Sequence, residues 1–220
     1  MLKLFYHVKG VLVLDFKSKL SNFFYYHKVH IAVFIFAIIC AIITFRQCSS
    51  IEPADISVVY ACSETAGNET ADFLETAIED TGIVSDIDGN GVANASVFAL
   101  YTPDHVQGGQ DVNAYNKIFI EMIEGENAVY LIDKRFIMEE TYDALLPIDY
   151  MADEIDEDKL LRNSNGQVIA IDVSQSKFFS DANVPSKGLY VALSSVVLSD
   201  KSSLEYKCAH MLAKYIVDNK

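Results

Sequence analysis

The stretch Asp86-Ile-Asp88-Gly-Asn90-Gly91-Val92-Ala-Asn94 sets oxygen-bearing side chains at alternate positions ahead of a glycine. This is the D-x-[DN]-x-[DN]-G pattern that opens a calcium-binding loop, since calcium is a hard cation that takes its ligands as oxygens. Asp86, Asp88 and Asn90 can converge on one ion, and Gly91 sits where the sharp turn is needed. Val92 can add its carbonyl, and Asn94 can contribute directly or through water. The position that should carry a bidentate acid is Val97, and a strand pattern follows where a helix would be expected. The same residues also suit a Gly/Asn turn that joins a helix to a strand. Calcium is the one cofactor the sequence suggests.

A second group of polar residues falls where strands should end. Ser63, Glu64 and Thr65 follow the first strand pattern and precede a helix, where hydroxyls and backbone N–H groups can meet an anion or polar ligand. N-capping of that helix explains the same residues. Asp104 and Asp133 follow the second and third strand patterns. We take Ser63, Glu64, Thr65, Asp104 and Asp133 as ligand-binding candidates. Catalysis finds no comparable support: no serine lies in a G-x-S-x-G elbow, and after residue 46 the histidines are His105 and His210. The sequence therefore points to a non-enzymatic binding protein, with no catalytic residue assigned and a cell-surface enzyme of unrecognised site as an alternative. Cys62 and Cys208 read as small buried hydrophobes, with a disulfide across the core as the alternative.

The elements that position these residues alternate two periods. Ile56 to Ala61, Ala95 to Tyr101 and Ala128 to Asp133 are apolar, β-branched or aromatic runs suited to buried strands. Between them, Phe73, Leu74, Ala77 and Ile78 share one helical face. Tyr115, Ile118, Phe119, Met122 and Ile123 share another, with Gly125 placed to end the helix. Further on the pattern predicts a helix from Phe136 to Leu146, an acidic surface over 149–158, and strands at 168–173 and 188–193. A closing helix carries Leu204, Cys208, Met211, Leu212, Tyr215 and Ile216 on its core face. Strand, helix, strand, helix, strand is the order of a three-layer α/β domain with a mostly parallel sheet, here of about five strands. Ligands meet such sheets at the C-terminal ends of the strands, which would be residues 63–68, 102–110 and 133–136.

Ahead of this domain, Val29 to Phe45 holds seventeen residues without Asp, Glu, Lys or Arg. As a helix it covers roughly 25 Å, close to the hydrocarbon thickness of a bilayer. Residues 1–46 carry six basic residues against one acidic, and the remainder carries eleven basic against thirty acidic, a net of −19. Basic before and acidic after the span fits an N-terminus in the cytoplasm and a C-terminal domain outside it. A surface that acidic also argues against nucleic acid as a partner. No A-x-A-like cleavage site follows the apolar run, and neither Cys40, after Ile39, nor Cys48, after Gln47, has the small residue that lipoprotein processing needs. The expected organisation is a basic, aromatic segment over 1–28, an uncleaved signal anchor over 29–46, a linker over 47–54 and an extracytoplasmic domain over 55–220. The expected partners are membrane lipid and a small-molecule or protein ligand of unknown identity.

Two resemblances add to this. Phe23-Phe-Tyr-Tyr-His-Lys-Val-His30 is similar to the juxtamembrane run of single-span membrane proteins of Gram-positive bacteria. Residues 118–149 include Gly125 after a helix, Asp133 on a strand and Leu145-Leu146-Pro147-Ile148-Asp149. With Gly188 to Ser195 and the final helix, they resemble one lobe of a type 2 extracytoplasmic solute-binding protein. Such receptors close two lobes of comparable size on a solute, and this chain has room for one. The resemblance implies solute or partner binding by an open half-site, or an accessory role in a cell-surface complex.

Overall fold

A computed structural model describes residues 25–44, 54–64, 67–103 and 109–219. The chain divides into two units, residues 1–52 and 53–220. Thr65 and Asp104, two of the ligand-binding candidates, lie outside the described residues.

In the first unit, α1 (Tyr25–Thr44) is a 20-residue helix whose most apolar 18-residue stretch has a mean hydropathy of 2.1, long and apolar enough to cross a membrane. A signal sequence has the same length and composition. The described helix includes the turn that precedes the apolar run. Its first turn carries Tyr25 and Lys28, with the ammonium 5.6 Å from the ring centroid, an amphipathic pair suited to a headgroup layer. Near its end the Thr44 hydroxyl donates to the Cys40 carbonyl at 2.9 Å, so that polar group is satisfied within the helix.

The second unit is an α/β domain around one six-stranded sheet. Its strands are β1 (Ile56–Cys62), β2 (Ala95–Tyr101), β3 (Val129–Asp133), β4 (Leu160–Arg162), β5 (Val168–Asp172) and β6 (Leu189–Leu193), in the order β2-β1-β3-β6-β5-β4. β1 is parallel to β2 and β3, as strands separated by helices should be. The other three pairings, β3 with β6, β6 with β5 and β5 with β4, are antiparallel. The sheet is therefore mixed, with six strands, and the expected mostly parallel sheet of five holds only for its first half.

The reason lies just after β3, where no crossover helix forms. Residues 134–136, 139–144 and 149–151 make short 3₁₀ turns in place of the predicted helix. Within them the buried Thr141 turns its hydroxyl onto Met138, accepting from its N–H at 3.1 Å and donating to its carbonyl at 2.9 Å. Such local bonds compete with the i→i−4 ladder of an α-helix. β4 is short and ends in Arg162, which binds Glu157 through two nitrogens at 2.7 and 3.1 Å and the Gly166 carbonyl across the hairpin.

Helices cover both sheet faces. α2 (Asn68–Asp80), α4 (Lys177–Asp181) and α5 (Leu204–Asp218) contribute to one apolar cluster with Val58, Tyr60, Leu131 and Val191. α3 (Gly109–Glu124) and the turns after β3 contribute to the other, with Val59, Tyr130, Ile132 and Tyr190. Gly125 ends α3 as expected, because a Cβ there would run into the Glu121 carbonyl. The buried helical faces are turned slightly from the predicted ones. α5 buries Cys208, Ala209, Leu212, Ala213, Ile216 and Val217 and leaves Leu204, Met211 and Tyr215 exposed; Phe73 on α2 is exposed as well. Cys62 and Cys208 are both buried free thiols.

Candidate functional site

The sheet brings the candidate residues to its two opposite ends. β1 is seven residues long, so at about 3.3 Å per residue the ends stand roughly 23 Å apart.

At the N-terminal end, the loop 86–94 folds onto the residue before β1. Asp55, 4 % exposed, accepts at Oδ1 from the N–H groups of Ile87 (2.5 Å) and Asp88 (3.2 Å), and at Oδ2 from that of Asn94 (2.9 Å). Burial raises its pKa and the three backbone bonds lower it; the bonds prevail, and it lies below the usual carboxylate value. In return, the Asp55 N–H donates to the Asn94 carbonyl and to Asn94 Oδ1. The loop also binds itself. Asp86 accepts from the N–H groups of Gly89, Asn90 and Gly91, Asp88 accepts from both nitrogens of Asn90, and Asn90 Oδ1 accepts from the Val92 N–H. Gly89 and Gly91 have φ of +77° and +89°, a region where side chains are strained, which explains the glycines.

Of the predicted metal ligands, Asp86 and Asp88 come together. Asn90 and Asn94 turn their side-chain oxygens onto backbone N–H groups, and the Val92 side chain is exposed. A third carboxylate outside the pattern joins them: carboxylate oxygens of Asp55, Asp86 and Asp88 lie within 4.8 Å of one another. A carboxylate has about four lone-pair sites, so Asp55, accepting three bonds, keeps one. Sequence reading missed Asp55 because it lies 31 positions before Asp86, at the edge of the linker.

At the C-terminal end the residues after β1, β3 and β5 and those before β6 form one crest. Cys62 pairs with Tyr101, Asp133 with Leu189, and Asp172 with Tyr190. β1 lies between β2 and β3, so the chain leaves β1 toward one side and later crosses to the other. That reversal is the place where open α/β sheets form a crevice. An open cleft of about 450 Å³ lies on this crest, lined by Glu64, Ser174, Gln175, Ser186, Lys187 and Gly188 among others. The Tyr60 hydroxyl, reaching through the core from β1, donates to the Pro185 carbonyl at 2.5 Å and holds the far wall.

Ser63 and Glu64 stand at the end of β1. They do not cap α2, whose N-cap is Gly67 without a side-chain bond. Asp133 serves its own loop: it accepts from the Arg135 N–H at 3.1 Å, lies 3.6 Å from Arg135 Nε, and borders Gly188. Arg135 was not singled out from the sequence, yet it ties the crest together. Its guanidinium donates to the carbonyls of Thr102 and Pro103 after β2, and it lies 5.4 and 5.2 Å from the ring centroids of Tyr115 and Phe136. Tyr190 sits under the crest, where burial and then the charges of Asp172, Asp133 and Asp158 raise its phenol pKa. His210 is not part of either end. It lies on α5 against Tyr206 (3.9 Å between centroids) and Tyr150 (5.2 Å), and burial lowers its pKa.

Set against protein-family models, curated proteins and solved structures, the chain matches none of them.

Proposed function

We propose that this chain is a membrane-anchored, non-enzymatic binding protein whose α/β domain takes a polar small-molecule or peptide ligand at the C-terminal crest of its sheet. The observation that carries the reading is a cleft on the crest that holds the strand-order reversal beside β1, lined by Glu64 after β1 and by the hydroxyl, amide and lysine groups of the segment joining β5 to β6. α1 supports the anchor, and the basic-before, acidic-after charge pattern supports an N-terminus in the cytoplasm with the domain outside. In this reading the domain acts as one lobe of the type 2 solute-binding kind, and its crest holds ligands in an open half-site. An accessory subunit of a cell-surface or transporter complex uses the same anchor and crest with a protein as the ligand.

The test is a thermal melt of the full chain in detergent micelles with panels of amino acids, sugars and short peptides. A ligand at 100 times its Kd adds about 2.7 kcal/mol to the folded state. For a domain of this size that is a rise of roughly 5–11 °C. The rise should vanish in Glu64→Ala/Lys187→Ala. A saturating ligand that shifts the variant as much as the parent would place binding elsewhere, and no shift from any panel would sink the small-ligand reading.

A second reading, that loop 86–94 holds calcium, is favoured by the arrival of Asp55 beside Asp86 and Asp88. The same melt with calcium against chelator tests it. A calcium-dependent rise lost in Asp86→Ala supports the site, and equal melts with and without calcium leave the loop a turn.

A further inference from the structure

We propose that the groove between α3 and the first half of β2, on the opposite end of the domain from the crest, docks a cationic peptide segment of a partner protein. An apolar side chain of that segment seats on Phe98 and Ile120. The groove has a volume of about 700 Å³, and its lining includes Phe98, Ile120 and the carboxylates Glu121, Glu124, Glu126 and Glu205, with no lysine or arginine among the described residues that line it.

The geometry follows from the helix. On α3, Tyr115, Ile118 and Met122 fall at offsets 0, 3 and 7 and join the apolar cluster against the sheet, whereas Ile120, Glu121 and Glu124 lie on the adjacent stripe. That second stripe borders the groove. Ile120 is 55 % exposed, and Val112 and Ile123 on the same helix are 46 and 37 % exposed, an apolar surface that no other described residue covers. Lys117 already shows what the aromatic floor accepts: its ammonium lies 4.0 Å from the centroid of the Phe98 ring. Glu121 accepts from the Asn127 amide at 2.8 Å and is structurally engaged. Glu205, half-buried, is raised in pKa by desolvation, a penalty that a neighbouring cation would relieve.

Charge selects the occupant. Residues 47–220 carry a net charge of −19, so a second copy of this domain would bring like charges together at the groove. A segment with Lys or Arg on either side of an apolar residue matches both the carboxylates and the floor.

The experiment uses the full chain in phosphatidylcholine nanodiscs, whose neutral surface does not attract cations. Binding of a fluorescently labelled Lys/Leu peptide is read by anisotropy, with a Lys/Ser peptide and a Glu/Leu peptide as comparisons. Two variants carry the same charge change: Glu124→Lys/Glu126→Lys in the groove, and Glu140→Lys/Asp153→Lys on exposed positions away from it. Ile120→Ser tests the apolar seat, and thermal melts of all variants confirm that they fold. The groove reversal should weaken the Lys/Leu peptide by about tenfold or more and the distant reversal by about threefold or less. Ile120→Ser should weaken the Lys/Leu peptide and leave the Lys/Ser peptide unchanged. Equal weakening by both reversals would reduce the effect to the general acidity of the domain and overturn the proposal. So would binding of the Glu/Leu peptide, or self-association of the chain that Ile120→Ser abolishes.

Discussion

Removing the Asp55 carboxylate should loosen the N-terminal end of the sheet by an amount the structure allows to be worked out. Asp55→Ala deletes three bonds between a charged acceptor and backbone N–H groups, those of Ile87, Asp88 and Asn94. A hydrogen bond to a charged group contributes about 1.5–3 kcal/mol net. Asp88 is exposed and Ile87 and Asn94 are only half-buried, so water replaces part of what is lost. About 1 kcal/mol per bond is then the reasonable figure, roughly 3 kcal/mol in all. For a domain of this size each kcal/mol corresponds to about 2–4 °C, so the melting temperature should fall by roughly 6–12 °C. Asp55→Asn keeps one oxygen for Ile87 and Asp88 but turns an N–H group toward that of Asn94, and should lose about half as much. The pH dependence has a definite sign. Because the folded-state pKa is lowered from 3.8, the contribution is complete above that value and is lost as the pH falls through the folded pKa. Parent and Asp55→Asn melts should therefore converge in acid. Thermal unfolding of the full chain in micelles, followed by circular dichroism, is the assay. An Asp55→Ala melt within about 3 °C of the parent at neutral pH would refute the clamp.

Other perturbations reach different parts of the fold. Glu79 and Glu75 on α2 accept from the N–H groups of Ala95 and Val97 on the open edge of β2, at 3.1 and 2.8 Å. Glu75→Ala/Glu79→Ala should leave a bare edge strand and raise self-association, seen by light scattering; a variant that stays monomeric at high concentration would deny the edge-blocking role. Arg135→Ala removes the tie between the loops after β2 and β3 and should speed amide exchange at residues 100–103 and 134–138, with a stability loss of about 3 kcal/mol. Unchanged exchange there would contradict the tie. His210 has a buried Nε2 without a hydrogen-bond partner among the described residues and a pKa below 6.5. Its fold favours the neutral ring, so stability is complete above that pH and declines as the pH falls through the lowered pKa. His210→Phe keeps the contact with Tyr206 and Tyr150 and should flatten the melting profile between about pH 7 and 5. A variant with the parent's slope would assign that slope to other groups.

Strands whose side chains are buried on both faces were legible from sequence, because such strands read as unbroken apolar runs. β1, with Val58, Val59, Tyr60 and Ala61 all fully buried, and β3 are of that kind. Their direction relative to later strands was not legible, since an apolar run carries no mark of polarity. The parallel expectation came from strand–helix alternation, and that alternation stops where Thr141 diverts the backbone into 3₁₀ turns. β4 escaped notice because three residues ending in arginine show no period. The calcium-type loop could be read from its spacing, whereas Asp55 could not, because its role depends on the fold bringing its oxygens to distant N–H groups. Asp133 was legible as a polar strand end, but its use by Arg135 depends on two rings and two carbonyls supplied by other elements.

The place of β6 has a consequence for how the domain can come into being. This strand, the last of the six in sequence, lies between β3 and β5 and joins the two halves of the sheet. A chain made from its N-terminus therefore completes β1, β2 and β3 with the inner edge of β3 open. That edge waits for a partner encoded more than fifty residues later. Closing so long a loop is slow, and an apolar strand edge invites pairing with other chains meanwhile. Any truncation before Leu193 removes the keystone of the sheet. Assembly of this sheet is then an event that follows the synthesis of β6, and its most vulnerable interval is the one in which β3 exists without that partner.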